Sequence, residues 1–256
     1  VEDWIEPIRV PLALAITLLL VLLRLDAEKF GVAEYDEPTP DGQRAPVLRR
    51  LSWYLLGGAL IAALLFFYPD PADDLGLALG DRAQAIFLGL GIGLLGTLQA
   101  AAYALYRYGR IRYPPPLAYP GAVTNAIGTA FVDEAAFRGA VLGLLLLAGL
   151  DPLLAIAGQA FLYTLATRTG APSRGYYMFV LTLVGSLVVG WAAVTTGAIA
   201  ASFLGHAITR VALFVCTGHS GGPAPRGQEI EEGWESRRAP DGWQALDEDK
   251  RPEPDR

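Results

Sequence analysis

The sequence predicts an all-α polytopic membrane protein, with about seven transmembrane helices surrounding a polar intramembrane cavity. Three observations carry this expectation. Hydrophobic residues make up 53% of the chain and the mean hydropathy is positive. Several apolar runs are about as long as a bilayer is thick. Lys and Arg are dense in alternate connecting loops, the pattern by which cytoplasmic loops are marked.

The spans follow in order as Arg9 to Leu25, Leu51 to Tyr68, Ala83 to Tyr106, Gly121 to Leu150, Pro152 to Thr167, Tyr176 to Thr195 and Gly197 to Cys216. The first is a retained helix rather than a signal peptide, because Glu2, Asp3 and Glu6 against a single Arg9 give its leading segment the wrong charge. The chain begins with Val1 rather than Met, so a trimmed or unusual start is expected. The fourth span is longer than a bilayer needs and must tilt, kink or protrude, with Gly139 and Gly143 as break points.

Orientation follows from the loops. Lys29, Arg44, Arg49 and Arg50 follow the first span, Arg107, Arg110 and Arg112 the third, and Arg168 and Arg174 the fifth. The intervening loops carry almost no basic residues. This predicts a multi-pass cell-membrane protein with its N-terminus outside and its C-terminus in the cytoplasm.

Three domains are expected. Residues 1–50 hold the first helix and a cytoplasmic linker, Asp26 to Arg50, containing the turn-forming run Glu37-Pro-Thr-Pro-Asp-Gly42. Residues 51–216 form the helical core. Residues 217–256, with ten acidic and six basic residues, read as a disordered cytoplasmic tail in which Trp234 and Trp243 are the only anchors. Cys216 stands alone, which excludes a disulfide framework or thiolate cluster. Gly89-Leu-Gly-Ile-Gly93 lies inside an apolar helix, so its small residues four apart serve close helix packing rather than a nucleotide loop.

The chemistry concentrates in three segments. Asp133 and Glu134 are the only two of the 26 acidic residues deep in an apolar run, and ionisable groups at that depth mark a functional site by default. Asn125, Thr129 and Asp133 fall four apart, and Glu134 and Arg138 are spaced to pair along the adjacent face. The fifth span repeats the spacing with Gln159, Tyr163 and Thr167, and the seventh with Ser202, His206 and Arg210. Polar stripes lack partners in lipid, so the three face one another. At about 1.5 Å per residue, Glu134 lies roughly 20 Å and His206 roughly 15 Å from the cytoplasmic ends of their helices, close enough to share a site. His219 lies beyond the last span. A carboxylate, an imidazole and a guanidinium in a secluded pocket suit water activation, while a structural ion pair locking the fourth helix to its neighbours accounts equally well for the same residues.

Asp133-Glu-Ala-Ala-Phe-Arg-Gly139 resembles the Glu-Glu-x-x-x-Arg-Gly signature of the CAAX protease and bacteriocin-processing (CPBP) family of intramembrane endopeptidases. Gly158-Gln-Ala-Phe-Leu-Tyr-Thr-Leu165 and Gly205-His-Ala-Ile-Thr-Arg210 follow in the family's order, and the resemblance extends over about residues 83–216. It implies that the leading carboxylate activates a water, while a Phe-x-x-x-His and a His-x-x-x-Asn motif complete the site and stabilise the oxyanion. By position Asp133 takes the leading glutamate's place, Glu134 and Arg138 match, and His206 matches the last histidine. Leu165 stands at the second motif's histidine and Arg210 at the asparagine. The implied catalytic set is therefore Glu134, Asp133, His206, Arg138 and Arg210, with Tyr163, Thr164 or His206 helping to position the water and Arg210 either donating to the oxyanion or snorkelling to the surface.

One histidine with two adjacent carboxylates makes a poor zinc site, so neither metal nor cofactor is expected. The expected partners are membrane lipid and a peptide or membrane-protein substrate, which in the family is a prenylated C-terminal motif or a peptide precursor. No nucleic-acid partner is expected. Two further classes fit the same residues: a non-catalytic member that binds a membrane partner through the cavity, and a solute pathway, which lacks a ladder of charges. The 18 Arg to 2 Lys point to a prokaryotic source.

Overall fold

The computed structural model describes residues 2–32, 45–111, 113, 120–169 and 176–218. Most of the linker, Arg112, Arg174, His219, Trp234, Trp243 and the tail beyond residue 218 lie outside the described residues. The regular elements among them are helices, with no strand among the described residues.

The helices are α1 (Glu2–Leu25), α2 (Ala45–Phe67), α3 (Arg82–Tyr108), α4 (Pro120–Glu134), α5 (Leu142–Leu147), α6 (Pro152–Thr169), α7 (Tyr176–Thr196) and α8 (Ala200–Thr217), with a short 3₁₀ turn at Ala27–Phe30. Between α4 and α5 the chain continues as a π-helix over Ala135–Val141. Glu134 and Leu142 at its ends keep right-handed helical dihedrals, so α4, the π segment and α5 form one unbroken rod. Their ends follow local chemistry. Asp81 caps α3 by accepting from the Gln84 N–H at 2.9 Å, and Asp151 accepts from the Leu153 N–H ahead of α6. Gly109 and Gly218 close α3 and α8 in the left-handed conformation.

Five helices are long and apolar enough to cross a membrane: Ile8–Leu25, Leu48–Phe67, Arg82–Tyr106, Phe179–Thr196 and Ala200–Thr217. These correspond to the first, second, third, sixth and seventh expected spans. The other two expected spans, the α4–π–α5 rod and α6, are the ones that carry the buried polar stripes. The protein is thus a multi-pass helical membrane protein.

Helix α3 packs along α8 over most of its length. The glycines anticipated as a packing device do this work selectively: a Cβ on Gly89 would lie 2.9 Å from Leu204, one on Gly93 2.8 Å from Ile208, and one on Gly91 would meet nothing. Gly205 reciprocates from α8, facing Ile92. Without a hydrophobic force between helices in lipid, this close approach of backbones supplies the attraction.

Gly139 and Gly143 are not breaks in the fourth rod. A Cβ on Gly139 would lie 2.5 Å from Leu77, and one on Gly143 2.6 Å from the Asp74 carbonyl. They make room for the α2–α3 connection, which runs against the π segment, buries Leu75, and accepts a 3.0 Å bond from the Ile199 N–H at the Gly76 carbonyl. The first part of the expected linker is also inside the fold: Ala27 and Val32 are buried in the main apolar cluster, and the buried Arg50 donates from Nε to the Gly31 carbonyl at 2.7 Å.

Candidate active site

The π segment begins directly after the two acidic residues. All seven of its residues are buried. π segments are rare and concentrate at functional sites, since the wider turn redirects side chains that a regular helix would stack.

Glu134 is wholly buried, and its Oε1 is the convergence point of the site. His206 Nδ1 from α8 lies 2.6 Å away and Arg138 Nη1 lies 3.2 Å away. Oε2 of the same carboxylate makes no well-formed hydrogen bond. Arg138 also donates from Nη2 to the Ser186 hydroxyl on α7 at 2.8 Å and lies 4.3 Å from the centre of the Tyr163 ring. Gln159 donates to the Ser186 carbonyl at 3.2 Å, and a Cβ on the facing Gly190 would lie 2.5 Å from the Gln159 amide. The fourth, sixth, seventh and eighth helical segments therefore meet around one guanidinium.

Asp133 occupies a separate compartment. Tyr163 donates its hydroxyl to Oδ2 at 3.1 Å, and Arg24 Nε from α1 lies 3.4 Å from Oδ1. One turn earlier on α4, Thr129 donates to the Asn125 side-chain amide oxygen Oδ1 at 3.2 Å, and Tyr54 from α2 donates to the same oxygen. The stripe of Asn125, Thr129 and Asp133 is thus satisfied by α1, α2 and α6.

A cavity of about 340 Å³ adjoins the cluster. Arg138, Tyr163, His206 and Arg210 contribute to its wall, as do Gln99 and Tyr103 from α3. The two carboxylates lie behind these residues. His206, 17% exposed at its side chain, is thus the group that connects Glu134 to the cavity.

The sequence reading placed Asp133, Glu134, Arg138 and His206 in one site; the structure brings Glu134, Arg138 and His206 together and gives Asp133 separate partners. Arg210 reaches the cavity one turn beyond His206, but its Nε has no hydrogen-bond partner and it is not part of the bonded cluster. Leu165, the position aligned with the second motif's histidine, is 39% exposed, and Phe161 is 53% exposed. Both lie on the face of α6 turned away from the carboxylates, and Tyr163, between them, points inward. Arg24 and Ser186 were not anticipated. Arg24 sits in the last turn of its span, where a basic residue reads as a snorkelling end, and Ser186 is a small hydroxyl in an apolar helix.

No curated protein and no solved structure matches the chain. The profile described as Type II CAAX prenyl endopeptidase Rce1-like matches residues 115–212, which hold α4, the π segment, α5, α6, α7 and most of α8. Helix α3, which the motif resemblance had included, lies outside that stretch. The three motifs read from the sequence all fall inside the matched segment, and the chain carries an Rce1-like domain of the CAAX prenyl endopeptidase (CPBP) type over residues 115–212.

Proposed function

We propose that this protein is an intramembrane endopeptidase that hydrolyses a peptide bond with a water activated by the Glu134–His206 pair. The observation that carries the reading is the pairing of Glu134 with both His206 and Arg138, wholly buried beside a cavity. Arg138 is the counter-ion of the Glu134 carboxylate at Oε1, and His206, bonded to the same oxygen, links it to the cavity wall.

In this mechanism His206, held by Glu134 through Nδ1, takes a proton from water at its other ring nitrogen while the hydroxide oxygen bonds to the substrate carbonyl carbon. Arg210, on the cavity wall, donates to the oxyanion that forms. Collapse of the tetrahedral intermediate breaks the C–N bond, and the proton held by His206 passes to the leaving amine. Asp133, in its own compartment, orients Tyr163. The reading takes all seven helical rods as spans, the cavity as a hydrated intramembrane chamber, the N-terminus as outside and the tail as cytoplasmic.

A second reading is favoured by one observation: no histidine on α6 faces the carboxylates, and Tyr163, which does, is engaged with Asp133. In that reading the protein is a non-catalytic relative that binds a membrane partner through the cavity. Comparing protein termini in membranes from a deletion strain restored with wild type or Glu134→Ala, at matched abundance, separates the two. Cleavage products seen only with wild type support proteolysis. Identical profiles with the same restored phenotype support partner binding.

A further inference from the structure

We infer that Arg24 is a positioning residue for the site, through which α1, outside the family-matched stretch, holds the carboxylate at the leading motif position. The inference rests on the endopeptidase reading for its catalytic consequence and on the geometry alone for the pairing.

Arg24 is 3% exposed, which for a guanidinium demands a nearby anion. Asp133 is the anion it meets, at 3.4 Å. Glu134 already has Arg138 as its counter-ion, and Arg210, which also lies within the field of Asp133, makes no contact ion pair with it among the described residues, so Arg24 is the cation in contact with Asp133. The guanidinium also lies 5.9 Å from the centre of the Tyr163 ring, whose hydroxyl holds the other Asp133 oxygen. Tyr163 thus holds one oxygen of the carboxylate by a hydrogen bond while Arg24 meets the other as an ion pair, from two different helices.

The helix end that presents Arg24 is itself fixed. Carbonyls in the last turn of a helix lack intrahelical partners, and Trp53 Nε1 from α2 donates to the Leu23 carbonyl at 2.9 Å. Trp53 is wholly buried, and a Cβ on Gly57, one turn on, would lie 3.5 Å from Leu23. A cation at the C-terminal end of α1 is further favoured by the helix dipole.

The test uses the full-length protein with Arg24→Met, Arg24→Lys, Asp133→Asn and the double variant Arg24→Met/Asp133→Asn. Thermal midpoints in detergent form a double-mutant cycle. The pairing predicts that the double variant is more stable than the sum of the single losses requires; additive losses overturn it. For positioning, turnover of a peptide spanning a cleavage site found by terminal profiling is measured per folded molecule. Arg24→Met is expected to lower kcat at least tenfold with KM little changed, and Arg24→Lys to recover most of it. Unchanged kcat per folded molecule overturns the positioning role. If wild type itself makes no cleavage products, the endopeptidase reading falls and the thermal cycle alone decides the inference.

Discussion

The α3–α8 seam and the charged centre around Glu134 solve the same problem, holding helices together in lipid, by opposite means. The seam uses shape: Gly89, Gly93 and Gly205 let backbones approach, and its contacts tolerate any change that leaves the groove open. The centre uses charge: Arg24, Arg138, Asp133 and Glu134 are each nearly or wholly buried, Arg24 pairs with Asp133 across helices, and the Arg138–Glu134 pair of one rod is tied to α7 through Ser186 and to α8 through His206. A shape-based contact fails only when something is added. A charge-based one fails when anything is taken away, because the remaining partner is left buried and unpaired.

Glu134→Gln gives the largest expected effect, since it keeps the shape of the centre and removes only its charge. Formation of specific cleavage products should fall by a factor of about 10² or more, read by quantitative profiling of termini, and residual wild-type cleavage would assign the chemistry to another residue. Arg138→Met should cost about 3–5 kcal/mol of stability, measured by unfolding in detergent, because it strips Glu134 of its counter-ion and Ser186 of its donor. On the seam, Gly93→Leu should cost about 1–3 kcal/mol by driving a side chain into Ile208; an equal loss from Gly91→Leu would erase the distinction between packed and open glycines.

Smaller still, Leu165→His should leave stability within about 0.5 kcal/mol and cleavage unchanged, although it completes the family's second motif on paper. The side chain at that position faces away from the carboxylates. A gain in cleavage would show that α6 is rotated from the arrangement described.

These contrasts also explain what the sequence made legible. The glycine seam is a local pattern with helical spacing, and it could be read from Gly89 and Gly93 alone. The convergence of Glu134, Arg138 and His206 was legible because charge inside an apolar run has few uses, and because the distances of the residues from their helix ends agree. Arg24 was hidden by its place near the end of a span, where an arginine needs no explanation until the end of α1 is found against Trp53. The burial of Ala27 and Val32 was hidden by the polar residues around them, since composition averages over a stretch and packing selects single side chains. The inward face of α6 was legible from the polar stripe Gln159, Tyr163 and Thr167, all buried, whereas the Phe161 to Leu165 spacing fits a motif on an outward face, because four-residue spacing occurs on every face of a helix.

The π segment gives the fourth rod a phase slip. A π turn holds one residue more than an α turn of the same height, so the stretch before Ala135 and the stretch after Val141 sit in different rotational frames. Deleting a single residue within the segment would restore α geometry and turn one frame against the other by about 100°. With Arg138 anchored to Ser186 and Gly143 clamped by the α2–α3 connection, the half that swings is the one carrying Asp133 and Glu134. A one-residue deletion, with no polar side chain removed, would then separate Glu134 from His206, so the catalytic geometry is written in the length of the helix as well as in the identity of its residues.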